Sequence, residues 1–121
     1  NLGCFEAVSN DYPDIILDFK KALNKMKTKV DFDKPIAIFI CGTGIGMSIA
    51  SNKIKKIRSA VCNDMDSIFA AKLHNNINVL CMGERVIKNI ATSISILEAF
   101  FKLEFEKLPR HVRRLEKINK I

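Results

Sequence analysis

The chain has 121 residues, 48% of them apolar and 27% charged, with only 5 Gly and 3 Pro, a balance that supports one buried core and excludes a disordered or collagen-like chain. Lys and Arg outnumber Asp and Glu by 20 to 13, a formal net charge of +7, which favours anionic partners such as a phosphorylated metabolite or nucleic acid. The longest apolar run, Ile36 to Cys41, falls far short of the roughly 20 residues that cross a bilayer. The N-terminus lacks the basic start and long apolar stretch of a signal peptide and also lacks an initiator Met, so the sequence reads as beginning inside a longer product. Four cysteines, Cys4, Cys41, Cys62 and Cys81, form no CxxC pair. Free thiols in a reducing, cytoplasmic setting are the expectation, and Cys4 is uninformative.

The first ordered signal is the turn Asp11-Tyr12-Pro13, followed by Ile15, Ile16, Phe19, Ala22, Leu23 and Met26 at helical spacing, which predicts a helix over 13–28. Ile36 to Cys41 reads as a strand buried on both faces of a parallel sheet. Its apolar character also argues against an open edge, so something covers it or is missing. A loop at Gly42-Thr43-Gly44-Ile45-Gly46 leads into a short helix over 47–53. A strand over 58–62, a helix over 64–73 and a strand over 78–82 follow. Residues 87–105 then predict one long amphipathic helix carrying Ile90, Ile94, Leu97, Phe100, Phe101 and Phe105, and 110–118 a short basic one. Alternating strands and helices with no repeat or linker predict a single α/β domain with a parallel sheet, whose ligands bind beyond the carboxyl ends of the strands. The loops 41–46, 62–66 and 82–85 are therefore the expected site.

Cys41 to Gly46, lying after a buried strand and before a helix, can aim several backbone N–H groups at one oxyanion. Two other readings stand beside this one. A dinucleotide fingerprint would use Asp64, 20 residues beyond Gly44, as its ribose-binding acid, although the third glycine comes one position early for that motif. A purely structural turn is the other. Cys41 is either a small buried residue or a thiol whose neighbouring amides favour the thiolate that a base or nucleophile requires. Cys62 and Cys81 read as packing residues. His74, just before a strand, reads as a capping or surface residue or as a catalyst. Arg110 and Arg114, four apart on one helix face, can grip one phosphate. A nucleic-acid stripe is disfavoured, because the basic end from Arg110 to Lys120 has no interleaved aromatics and the chain has no Trp.

Several ordered motifs together resemble one family. They are Cys41-Gly42-Thr43-Gly44-Ile45-Gly46-Met47-Ser48-Ile49-Ala50, Asn52-Lys53, Ile57-Arg58-Ser59-Ala60, His74-Asn75, Asn78-Val79-Leu80, Gly83-Glu84-Arg85-Val86 and Arg110-His111-Val112-Arg113-Arg114. The sequence is similar to the ribose-5-phosphate isomerase B family, a group that also contains isomerases of galactose 6-phosphate and allose 6-phosphate. The resemblance runs from Leu2-Gly3 through Asp11-Tyr12-Pro13 to the C-terminus.

It implies a Rossmann-like three-layer αβα sandwich and an aldose–ketose isomerisation through a cis-enediolate. Neither metal nor organic cofactor is implied, and the active sites are shared within a homodimer. By the same resemblance Cys41 is the base, the 42–46 loop with Thr43 cradles the enediolate oxygens, and His74 opens the sugar ring beside substrate-binding Asn75. Arg85, Arg110 and Arg114 hold the anion, and Tyr12 lies near the sugar. Two departures stand out. The family's first strand, which ends in an Asp-His pair, and the helix and strand after it have no counterpart in 1–121. Leu108-Pro109 also stands where relatives commonly carry glycines.

The expected function is interconversion of ribose 5-phosphate and ribulose 5-phosphate, in the pentose phosphate pathway, by a single, N-terminally incomplete domain over 1–121. The alternatives are a hexose 6-phosphate isomerase and a non-catalytic sugar-phosphate-binding or partner subunit of the same fold. No nucleic acid or membrane partner is expected. The apolar stripe on helix 87–105 predicts self-association, as a dimer or a dimer of dimers.

Overall fold

The computed structural model describes residues 1–3, 10–26 and 29–121. Among the described residues eight elements follow one another: α1 (Tyr12–Met26), β1 (Ala37–Cys41), α2 (Ile45–Ser51), β2 (Ser59–Val61), α3 (Met65–Asn75), β3 (Val79–Gly83), α4 (Ile90–Lys102) and α5 (Pro109–Ile118). The three strands are parallel and ordered β1-β3-β2, so β3 is paired on both sides. All five of its residues are buried, as a central strand covered on both faces requires.

Side chains alternate across β3 and divide the core in two. Leu80 and Met82 join Ile68, Ala71, Ile96, Ala99 and Phe100 beneath α3 and α4. Val79 and Cys81 join Ile16, Phe19, Leu23, Phe39 and Met47 beneath α1 and α2. The result is the expected three-layer Rossmann-like αβα arrangement.

One element differs from the sequence reading. The helix predicted over 87–105 is shorter at both ends: Asn89 caps it by accepting from Ala91 N at 2.8 Å, and Leu103 turns extended with its N–H on Ala99 O. Phe105 therefore belongs to a strap between α4 and α5. Among the described residues β1 pairs only with β3, and Ile40 is 59% exposed, in line with the reading that the neighbour its apolar character calls for is missing. Residues 27–28 of the predicted first helix, and Cys4, lie outside the described residues. On α4, Ile96, Ala99 and Phe100 turn inward while Ile90, Ile94 and Phe101 of the expected stripe are exposed.

At the amino end of the sheet, one fully buried side chain joins three segments. The Asn78 amide donates to Phe32 O and Lys56 O, each at 2.9 Å, and accepts from Arg58 N at 2.9 Å. Arg58 completes the lock with bonds to Asn76 O and Phe32 O at 2.7 Å. Asn78→Ala strands the Lys56 carbonyl and the Arg58 N–H and takes one of two donors from the Phe32 carbonyl, and a loss of about 2–4 kcal/mol is expected in urea unfolding. Asn78→Asp should lose a similar amount, because a carboxylate cannot donate to the two carbonyls.

Candidate active site

The carboxyl ends of β1 and β3 hold the first cluster. Gly44 adopts φ 81, and a β-carbon there would stand 3.1 Å from the Met82 carbonyl carbon. A β-carbon at Gly83 would stand 2.7 Å from the Thr43 carbonyl. Only glycines allow the loop after β1 to lie directly on the end of β3. Glu84 N and Arg85 N then donate to Cys41 O and Gly42 O, at 2.9 and 3.1 Å.

This folded loop turns the Gly44 N–H onto Cys41 Sγ, 3.2 Å away. The first bond of α2 is Ser48 N to Gly44 O, so the amides of 45–47 stand outside the helical ladder. The Ile45 amide is taken by Thr43 Oγ1 at 3.3 Å. Two side chains roof the loop: a β-carbon at Gly42 would stand 3.0 Å from Arg85 Cζ, and one at Gly46 would stand 2.5 Å from Tyr12 Cζ. Cys41, Gly42, Thr43, Gly44, Ile45, Gly46, Tyr12 and Arg85 are therefore one site. Sequence reasoning passed over Asn63, whose Oδ1 takes the Gly83 N–H at 2.8 Å and holds the β3 end in place.

Asp64 has another task. Its carboxylate accepts from Ser67 N at 2.7 Å and caps α3 in a reciprocal capping box, and that backbone bond holds it below the usual carboxylate range. The dinucleotide reading needed this carboxylate free for a ribose.

His74, Asn75, Arg110 and Arg114 form a second cluster at the other end of the sheet. The 11 residues of α3 run from the carboxyl end of β2 toward the amino end of β3, about 16 Å at helical rise. The expectation that all the chemistry lies beyond the carboxyl ends of the strands therefore covers eight of the twelve predicted residues. The strap after α4 ties back through Glu106 N to Leu73 O at 2.9 Å, and α5 starts at Pro109. His111 is 3% exposed, with its ring centroid 4.5 Å from that of His74. Arg110 Nε donates to His111 Nε2 at 3.0 Å. Arg110 and Arg114 lie one turn apart on the exposed side of α5. Asn75 bonds only within its own helix, to Ala70 O at 3.3 Å. His74, Glu106 and His111 offer ligand atoms within 4.8 Å of one another, a spacing a metal ion can use, but the Arg110 guanidinium on the far nitrogen of His111 opposes a second cation.

Residues 1–118 match the family described as Ribose/Galactose Isomerase. The chain belongs to this family. A protein of Mycoplasma genitalium named "Probable ribose-5-phosphate isomerase B" is 37% identical over 110 residues, 91% of this chain and 68% of that protein. The solved type B ribose 5-phosphate isomerase of Trypanosoma brucei superposes with a TM-score of 0.82 at 36% identity, covering 98% of this chain and 74% of that one. D-erythrulose-4-phosphate isomerase 2 of Mycolicibacterium smegmatis is 43% identical over 70 residues, 58% of this chain and 45% of that protein. The chain is thus a sugar-phosphate isomerase of the type B kind.

In this isomerase the three described thiols are free, and they are not equivalent. Burial pushes Cys62 from 9.0 up to about 12, and Cys81 is also raised by burial, beside Ser59 Oγ at 3.2 Å. Both are packing residues, while Cys41 is only half-buried. A disulfide reagent at pH 8 should modify Cys41 at least about tenfold faster than Cys62 or Cys81, read by mass spectrometry of the folded chain. Because Cys62 keeps its proton in the folded chain at a pH where the unfolded chain loses it, its contribution to stability is complete below pH 9.0 and declines as pH rises toward 12.

Proposed function

We propose that this isomerase interconverts ribose 5-phosphate and ribulose 5-phosphate through a cis-enediolate, with Cys41 as the base. The observation that carries the reading is the Gly44 N–H on Cys41 Sγ at 3.2 Å, within a glycine loop that Arg85 and Tyr12 roof. The thiolate takes the proton from C2 of the open-chain aldose. The electron pair forms the C1–C2 double bond, and the former carbonyl oxygen gains charge. Return of the proton to C1, with transfer of a hydroxyl proton from O2 to O1, gives the ketose. Donors aimed at an oxygen that becomes charged lower the barrier more than they hold the sugar. His74 serves ring opening, and Arg110 with Arg114 holds the phosphate at the far end of the sugar.

One chain cannot bring these groups to one sugar, since its two clusters lie at opposite ends of the sheet. This supports a homodimer in which the 41–46 loop of one copy faces His74, Arg110 and Arg114 of the other. Apolar side chains border both halves: Ile45 and Ile49 on α2, and Leu108 before α5, are exposed. The α4 stripe offers further apolar surface to such an assembly. Three free thiols favour a reducing, cytoplasmic setting, and among the described residues no helix is long and apolar enough to cross a membrane.

Cys41→Ala should lower turnover of ribose 5-phosphate by about 10²-fold or more while leaving its affinity within about twofold. Unchanged turnover overturns the assignment. Turnover on allose 6-phosphate beside ribose 5-phosphate decides the sugar length. Arg114→Ala should weaken sugar-phosphate binding roughly ten- to a hundredfold, with Lys120→Ala near wild type. Equal losses in the two variants would point to a diffuse anion surface instead.

Sharing of the site has its own test. When Cys41→Ala and His74→Asn chains, each inactive alone, are refolded together in equal amounts, half of the dimers are mixed and each mixed dimer holds one intact site. Roughly a quarter of wild-type activity should return, and none returns if each chain carries a complete site.

A further inference from the structure

Arg110 sits on an exposed helix face, where a long side chain loses rotamer freedom when it must meet a phosphate. Its Nε–H is already committed, donating to His111 Nε2 at 3.0 Å. A neutral imidazole accepts at Nε2 only if the proton is on Nδ1. The other tautomer would set two donors face to face.

Nδ1 of His111 is buried and has no hydrogen-bond partner among the described residues. The carboxylate facing it is Glu106, with Oε2 3.9 Å away. Glu106 is anchored at both backbone groups, its N–H on Leu73 O at 2.9 Å and its carbonyl accepting from Leu108 N at 2.8 Å. A small side-chain rotation therefore suffices to bring its carboxylate onto the Nδ1 proton. The His111 ring is held in its plane by His74 at 4.5 Å and Phe105 at 6.4 Å between centroids. These groups form a line of carboxylate, imidazole and guanidinium, the arrangement by which outer partners orient a ligand-holding group.

We propose that Glu106 and His111 are positioning residues, Glu106 holding His111 in its Nδ1–H tautomer so that Nε2 fixes the Arg110 guanidinium for the phosphate of the substrate. The proposal rests on the sugar-phosphate reading for the identity of the ligand. Its geometry does not depend on turnover. Glu106 enters by no sequence motif: it lies in the strap one residue beyond the helix that the sequence predicts over 87–105, and only the fold carries it to His111.

Two measurements on the full chain test this. Two-bond proton–nitrogen correlation spectra report the tautomer of each histidine without any substrate. His111 should be the Nδ1–H form in the wild type and should shift toward Nε2–H in Glu106→Ala. Calorimetry with inorganic phosphate and with ribose 5-phosphate then measures binding in wild type, Glu106→Ala, Arg110→Ala and the double variant. Glu106→Ala should weaken binding about fivefold when Arg110 is present and not at all when it is absent, the signature of two residues acting as one. His111→Gln, which keeps an acceptor near the place of Nε2, should retain most of the affinity.

An unaltered tautomer in Glu106→Ala, or losses that simply add in the double variant, overturns the proposal. Failure of the functional reading looks different. The chain would then bind phosphate through Arg110 with the coupling intact and leave ribose 5-phosphate unconverted.

Discussion

The close approach between the loop after β1 and the end of β3 is the contact on which the rest of the candidate site depends. With no β-carbon at Gly44 or Gly83, the backbone of Thr43 packs against Gly83 and that of Gly44 against Met82. The loop is then short enough to return an amide to the sulfur of the residue that begins it. Glu84 and Arg85 bond to Cys41 and Gly42 along the same seam, so the arginine crosses the loop as a consequence of strand register. One backbone contact thus sets the thiol, the amides and a guanidinium together. A side chain at either glycine would lift the loop off β3 and separate all three.

Parallel pairing has a second consequence, in the opposite direction. Strands running the same way need a crossover from the top of one to the bottom of the next, and α3 is that crossover between β2 and β3. Any residue in its last turn is carried to the amino end of the sheet, as His74 is. The strap and α5 dock there through Glu106 and Leu73, and bring His111 and the two arginines to the same end. A division of the chemistry between two copies therefore has its origin in the topology.

The two ends differ in how they manage charge. At the cradle, backbone dipoles face a thiol and a single exposed guanidinium, an arrangement suited to a charge that appears only during reaction. On α5, full positive charges stand on the surface with a neutral imidazole behind one of them, which suits a permanent dianion. Of the net charge of +7, the last twenty residues carry +4, toward the end where a phosphate would meet it. Lys72, buried over the Phe100 ring with its ammonium lowered by burial, is the contrasting case of a cation used in packing.

Local sequence determined most of the fold and half of the site. Alternation of apolar runs with helical spacing placed the three strands and five helices near their observed bounds, because each depends on a pattern a few residues long. Glycines at 42, 44 and 46 after a buried strand marked the cradle, and the motif order pointed to the family. Sequence pattern did not show where the long helix stops, since Leu103 and Phe105 continue the apolar spacing while the chain after Lys102 docks on α3 through Glu106 N and Leu73 O. The separation of His74 from Cys41, and the line from Glu106 through His111 to Arg110, were likewise decided by tertiary structure alone. Contacts between residues tens of positions apart depend on which way each crossover runs, and composition and spacing do not encode that direction.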